Sequence, residues 1–313
     1  MGIAILSGIL TDLKAPKIKL SSVPASGIST PIETVSPPSH LPSRFIACVR
    51  RAESAKRVKD ALRKIDPNIF QGKHGVRILQ NNNLSACQEA DVILLCCKPY
   101  MVNDILAAEG MAEALSGKLL ISICAGVPVP QMETALYGDG KTIVQERCKI
   151  VRALPNTASG IRESMTVIAT SSPPLPEAMS AIVEWIFERV GKVVYLPSTT
   201  MDVSTALCGS GPAFFALMME ASIDGAVAMG LPRAEAQRMA AQTMKGAAEM
   251  VLQGEHPALL RDKVTTPGGC TIGGLLVLEE GRVRGTIARA VREATVVASQ
   301  LGKGVQGVNG TRF

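Results

Sequence analysis

The chain has 313 residues, 47% hydrophobic, 19% charged and only 3% aromatic, which is enough for two domains built on an aliphatic core. Its net charge of +6 is spread out, with no basic run interleaved with aromatics, which argues against nucleic-acid binding. Eight cysteines without C-x-x-C spacing and three unclustered histidines argue against a metal site and fit reduced thiols in a cytosolic or organellar protein, with a cytoplasmic location expected. No apolar stretch is read as reaching the roughly 18 residues of a membrane span, and Met1 to Leu6 lack the basic flank of a signal peptide.

The first ten residues read as a helix, with Ile5 and Ile9, then Leu6 and Leu10, at four-residue spacing. Residues from about 15 to 43 hold much Ser, Pro and Thr, including Pro37, Pro38 and Pro42, without an apolar period. A flexible surface insertion is expected there. Residues 44–49 read as a strand, followed at once by Arg50, Arg51 and a helix over 52–65. At such a strand end a carboxylate holds the ribose 2′-hydroxyl of NAD, whereas arginine accommodates the 2′-phosphate of NADP. Arg50 and Arg51 therefore favour NADPH. The other reading is a basic start to a solvated helix, since Lys56 and Arg57 follow.

Residues 76–79 suggest a short strand, and Asn81-Asn82-Asn83 a polar turn into a short helix. The continuous apolar run 91–97 before Lys98-Pro99 reads as a buried parallel strand. Ligands bind at the carboxyl ends of such strands, which places Lys98 beside cofactor or substrate unless it is a solvated loop residue. Residues 118–124 repeat the pattern and end in the small-residue turn Ala125-Gly126-Val127. A second insertion is read over 137–147. Strands follow at 149–154, ended by Pro155-Asn156-Thr157, and at 164–169. A helix over 176–190 puts Trp185 in the core, and 192–196 closes the sheet. Residues 1–197 are thus expected to form an α/β Rossmann-like, doubly wound sheet domain.

Residues 198–313 read as an all-α domain. Leu207-Cys208-Gly209-Ser210-Gly211-Pro212 leads into a helix that is apolar nearly all round, with Leu217, Met218, Met219, Ile223 and Val227, and is expected to be buried. Gly230 stops it and Pro232 starts the next, an amphipathic helix to 252. A short helix from 257 leads to Thr265-Thr266-Pro267-Gly268-Gly269-Cys270-Thr271-Ile272-Gly273-Gly274. Here a Pro-Gly-Gly turn opens a helix whose first N–H groups have no intrahelical partner, a combination that holds carboxylates. Thr271 adds a hydroxyl beside the anion. The alternative is a plain helix–helix connector. A last helix carries Val283, Ile287, Val291 and Ala294 on one stripe.

Together with the helix entrance at 207–215, with Arg152-Ala153-Leu154-Pro155-Asn156-Thr157 and with Cys97-Lys98-Pro99, this stretch closely resembles the pyrroline-5-carboxylate reductase family. The resemblance runs from Met1 to about Leu301 apart from the two insertions. It implies reduction of 1-pyrroline-5-carboxylate to L-proline by NADPH, with NADH as the other donor. Under it, Gly2 corresponds to the last glycine of the G-x-G-x-x-G turn, and the first strand and first two glycines of that motif are not seen. A misassigned start and a degenerate copy are both readings of this departure; a central strand's loss would leave its neighbours without hydrogen-bonding partners. The resemblance further implies that NADPH touches Asn83, Cys96, Cys97, Lys98, Pro99, Ile123, Cys124 and Ala125. It puts the substrate carboxylate on Gly268, Gly269, Cys270 and Thr271, with Thr271 placing the proton for the ring nitrogen, and it makes the helical domain the dimer interface of a homodimer or higher homo-oligomer. Two alternatives stay open: another NADP-dependent imine or hydroxyacid reductase, and an inactive homologue that acts only as an interaction protein.

Overall fold

A computed structural model describes residues 1–14, 38, 40–71, 75–138 and 144–302. Most of the expected insertion at 15–43 and part of that at 137–147 lie outside these residues. The chain divides into two compact units. The first runs to Gly209 and takes in the end of the chain from Ala294; the second is built on Ser210–Glu293.

In the first unit, α1 (Gly2–Lys14), β1 (Phe45–Val49), α2 (Ala52–Arg63), β2 (Val76–Gln80) and α3 (Asn83–Glu89) come first. They are followed by β3 (Val92–Leu95), α4 (Val102–Leu106), α5 (Met111–Ala114), β4 (Leu119–Ser122), α6 (Val129–Tyr137), β5 (Lys149–Leu154) and β6 (Ser164–Thr170). Then come α7 (Glu177–Glu188), β7 (Gly191–Pro197) and α8 (Met201–Ser204). β1 and β2 pair in parallel as a two-stranded sheet, and β3-β4-β5-β6-β7 form a second sheet; β1 and β3 share no ladder. The second sheet is parallel except that β6 runs antiparallel to β5. The reason is the connection. Only the turn around Thr157–Ile161 separates them, too short for the crossover that parallel neighbours need. By contrast α7 supplies a crossover from β6 to β7, and that pair is parallel.

α1 holds the two sheets to one body. Its Leu10 is buried with Val58, Leu62, Ile69 and Val76 around the small sheet. Its Ile5 and Ile9 are buried with Leu119, Ile121, Val151 and Phe187 under the large one. The four-residue spacing read from the sequence thus serves two neighbouring cores. A Cβ on Gly8 would lie 2.7 Å from Val190 Cγ1 and 2.8 Å from the Arg189 carbonyl. That close approach is what lets α1 settle against the end of α7. Trp185 is buried in the same core, as expected.

The second unit contains α9 (Gly211–Ala228), α10 (Arg233–Leu252), α11 (Pro257–Val264), α12 (Cys270–Glu280) and the start of α13 (Val283–Gly302). The expectation that α9 is buried does not hold within the chain: only Gly211 and Ile223 are buried, and Leu217 is 67% exposed. An apolar pattern on every side reports that cover is needed; it does not say that the same chain provides it. A second correction concerns length. The helical run Ser198–Ala228 is long and apolar enough to cross a membrane by length and composition, contrary to the sequence reading. A π turn over Thr205–Gly209 interrupts the run, with Pro212 just after it.

Candidate functional site

Four strand ends and the start of α1 carry the residues assigned to a dinucleotide. Parallel strands in register bring the segments after β3 and β4 side by side: Ile123 N–H donates to the Leu95 carbonyl at 3.1 Å, and the Cys97 and Cys124 sulfurs are 3.8 Å apart. Gly2 stands over Cys96, where a Cβ would come within 3.0 Å of its sulfur. The absence of a side chain is therefore used at Gly2. Although Cys96 as a whole is exposed, burial of its thiol pushes it up to about 12. Lys98, Pro99 and Ala125 are exposed around these groups and Ile123 is half-buried. So Gly2, Cys96, Cys97, Ile123 and Cys124 gather at one place.

Arg50 and Arg51 lie just past β1 and are both exposed; among the described residues neither enters an ion pair. Asn83 is exposed at the start of α3, beyond β2. These three stand at the carboxyl ends of the small sheet. The packing of α1 relates the two groups, because Ile3 and Leu6 lie against the cluster that includes Val49 and Ile78.

In the second unit the turn before α12 is built by its glycines. Gly268 sits at φ +66°, in the left-handed region that disfavours a side chain. Gly269 is the N-cap, its N–H donating to the Thr266 carbonyl at 3.1 Å, and a Cβ on it would fall 2.5 Å from Thr266 Oγ1. No side chain caps α12. The Gly269 N–H is thus spent inside the turn, which modifies the expected cradle: the helix-start groups left for an anion are the N–H groups of Cys270, Thr271 and Ile272. Cys270 is exposed and Thr271 half-buried.

Two features go beyond what the sequence motifs containing them suggest. Arg152, on β5, is 6% exposed, and its Nε has no acceptor among the described residues. Burial lowers its affinity for the proton and the charge of Asp202 acts the other way. The second is a glycine pair. Gly126, at φ +75°, meets Gly302 at the end of α13, where a Cβ on Gly302 would lie 2.7 Å from the Gly126 carbonyl oxygen. Neither has a local signal, because both depend on what the fold places opposite. The Pro155-Asn156-Thr157 segment has a structural use: Asn156 caps the following turn by accepting from Ala158 N–H at 3.0 Å. A recess of about 260 Å³ between Asp91, Lys118 and Ile182 lies at the amino-terminal ends of β3 and β4, away from all of these groups. Among the described residues no cluster of three metal-ligating side chains occurs.

Residues 198–301 match a family described as pyrroline-5-carboxylate reductase dimerisation, and residues 36–126 one described as NADP oxidoreductase, coenzyme F420-dependent. The chain is 66% identical over 320 residues to a pyrroline-5-carboxylate reductase of Lophium arboricola, covering 100% of the chain and 94% of that relative. With the Neurospora crassa pyrroline-5-carboxylate reductase the identity is 57% over 324 residues, covering 100% and 93%. Among solved structures, the Plasmodium falciparum pyrroline carboxylate reductase with NADP bound superposes with a TM-score of 0.65 at 29% identity, over 74% of this chain and 84% of that one. The Coxiella burnetii pyrroline-5-carboxylate reductase gives 0.66 at 29% identity, over 83% and 99%.

Proposed function

The chain belongs to the pyrroline-5-carboxylate reductase family, and from that premise we infer that it is an NADP-dependent oxidoreductase that reduces 1-pyrroline-5-carboxylate to L-proline, the last step of proline biosynthesis. NADPH, when bound, supplies the hydride for the imine carbon. The chain's own residues fit such a cofactor at several points. The bare Gly2 lets the start of α1 come close, Gly126 bends the loop after β4, and Arg50 and Arg51, at a strand end without a carboxylate, offer charge for a 2′-phosphate.

The observation that carries the substrate side is the uncapped start of α12. The Cys270 and Thr271 N–H groups hold the carboxylate, and the partial positive charge of the helix end favours it there. Thr271 Oγ1 then faces the ring of the same small substrate. A threonine hydroxyl is too weak an acid to protonate the nitrogen unaided, so it orients the nitrogen or the water that delivers the proton. Cys270 needs no covalent role in such a reaction.

The folded unit we infer is a homodimer or larger homo-oligomer. Leu217 and Phe215 on α9 and Leu276, Val277 and Leu278 on α12 are half or more exposed in the single chain, apolar surface that suits a protein interface. The same use accounts for the apolar length of Ser198–Ala228. A purely monomeric species by light scattering at micromolar concentration would count against it. The eight cysteines, all free, support a reducing, cytoplasmic location.

The direct test follows NADPH oxidation by the purified chain with 1-pyrroline-5-carboxylate, beside open-chain 2-keto and hydroxy acids. Turnover of the cyclic imine supports the reading. Preference for an open-chain acid would favour a different reductase, and no turnover by a folded oligomer would favour an interaction protein.

A further inference from the structure

The parallel register of β3 and β4 pairs Leu95 with Ser122. Cys97 and Cys124 therefore stand two residues beyond a paired position, facing each other across the strand ends. Neighbouring strands run about 4.8 Å apart, inside the roughly 4.4–6.8 Å between Cα atoms that a disulfide tolerates. The sulfurs are already in contact at 3.8 Å. Cys124 Sγ also reaches the Leu95 and Cys97 carbonyls at 3.5 and 3.4 Å, so its side chain is held toward its partner. No other pair of sulfurs among the described residues is joined in this way; Cys96, next in sequence, turns its sulfur to Gly2. The hydrogen bond that the two sulfurs share holds the Cys124 thiol below its usual range and pushes Cys97 up. Cys124 is thus the first of the two to become a thiolate. Cys124 is buried, while Cys97 is only half-buried and opens the pair to small reagents.

We propose that Cys97 and Cys124 form an oxidation-sensitive dithiol, closing to a disulfide under a small hydroperoxide at the strand ends assigned to the cofactor. The Cys124 thiolate attacks one oxygen of hydrogen peroxide; the O–O bond breaks, and the departing hydroxide takes up a proton to leave as water. The sulfur of Cys97 then displaces the second oxygen from the Cys124 sulfenic acid, forming the S–S bond as the thiol proton and hydroxide leave as water. Two thiols give up two electrons, and one peroxide becomes two waters. Closing the bond draws the sulfurs together by roughly 1.8 Å, since a disulfide measures about 2.05 Å. That movement pulls on the segments 96–99 and 123–125 together. Its effect on activity rests on the cofactor reading above; the bond itself does not.

The test uses the full chain, cofactor-free, treated with hydrogen peroxide, capped with N-ethylmaleimide and digested with trypsin without reduction. Cleavage after Lys118 separates the two cysteines, so the expected product is a disulfide joining peptides 78–118 and 119–141, located on Cys97 by fragmentation. Cys97→Ser should abolish the link and Cys96→Ser should keep it. A link that persists in Cys97→Ser, or its absence from wild type while other cysteines oxidise, overturns the proposal without reliance on any variant's folding. In wild type, NADPH oxidation should be lost in step with the link and return with dithiothreitol, and bound NADPH should slow the loss. A link that forms with no such protection upholds the dithiol and counts against the cofactor's placement.

Discussion

Gly269→Ala tests the carboxylate cradle most directly, because its effect can be worked out from one contact. The backbone of Gly269 is at φ −77°, which alanine adopts freely, so no intrinsic strain enters. The cost is steric. The new Cβ would lie 2.5 Å from Thr266 Oγ1, about 0.9 Å inside ordinary contact at 3.4 Å, and 3.2 Å from the Thr266 carbonyl oxygen. Thr266 must rotate or the turn must move, and the same carbonyl accepts the Gly269 N–H. A displacement near 1 Å at a positioning group costs up to about 10²-fold, so kcat/KM for pyrroline-5-carboxylate should fall by roughly 10- to 100-fold. The KM for NADPH should not change. Thr266→Ala in the same chain removes the closest atom and should recover much of the loss, leaving only the milder carbonyl contact. Steady-state kinetics of the single and double variants, with thermal melting to show that both fold, decide the matter. Wild-type kinetics for Gly269→Ala, or a double variant no better than the single, would refute the steric argument.

Three other substitutions probe the remaining parts. Thr271→Ala should lower kcat/KM by about 10²-fold, the low end for positioned proton transfer, with NADPH affinity intact; unaltered kinetics would remove the hydroxyl from the mechanism. Replacing Arg50 and Arg51 with neutral residues should cut the NADPH-to-NADH preference by about tenfold or more, since a charge-assisted hydrogen bond contributes roughly 1.5–3 kcal/mol. A ratio that stays put would return both arginines to the solvated surface. Gly302→Ala would force its Cβ against the Gly126 carbonyl at 2.7 Å and should raise the KM for NADPH by displacing the loop after β4; an unchanged KM would show that this loop does not touch the cofactor.

What could be read from the sequence depended on how local its cause was. The period of Ile5, Ile9, Leu6 and Leu10 defines α1, and the apolar run before Lys98 defines β3, because neighbours along the chain carry the whole signal. The Pro-Gly-Gly turn was legible for the same reason, Gly268 needing a left-handed φ. The internal use of the Gly269 N–H was not, since a turn's own hydrogen bonds follow from its closed geometry. Cysteines could be read as reduced thiols, but the meeting of Cys97 with Cys124 needs the register of two strands. The Gly126–Gly302 contact joins residues far apart in the sequence and leaves no periodic trace.

α9 shows the limit from the other side, and α12 turns that limit into a physical link between assembly and chemistry. Both helices have apolar surface that the chain itself leaves open, and α12 begins with the N–H groups assigned to the substrate. Completing the burial of Leu276, Val277 or Leu278, each only half to two-thirds exposed, is worth roughly 1–2 kcal/mol, more than the fraction of a kcal/mol a helix end contributes at an exposed anion site. If a second copy covers that apolar surface, as inferred above, the cover would fix the helix, and the helix the aim of Cys270 and Thr271. Without that cover, α12 depends for its orientation on a two-glycine turn with little packing behind it. The apolar pattern that misled the burial reading is, in this account, what holds the carboxylate cradle rigid once a second copy lies against it.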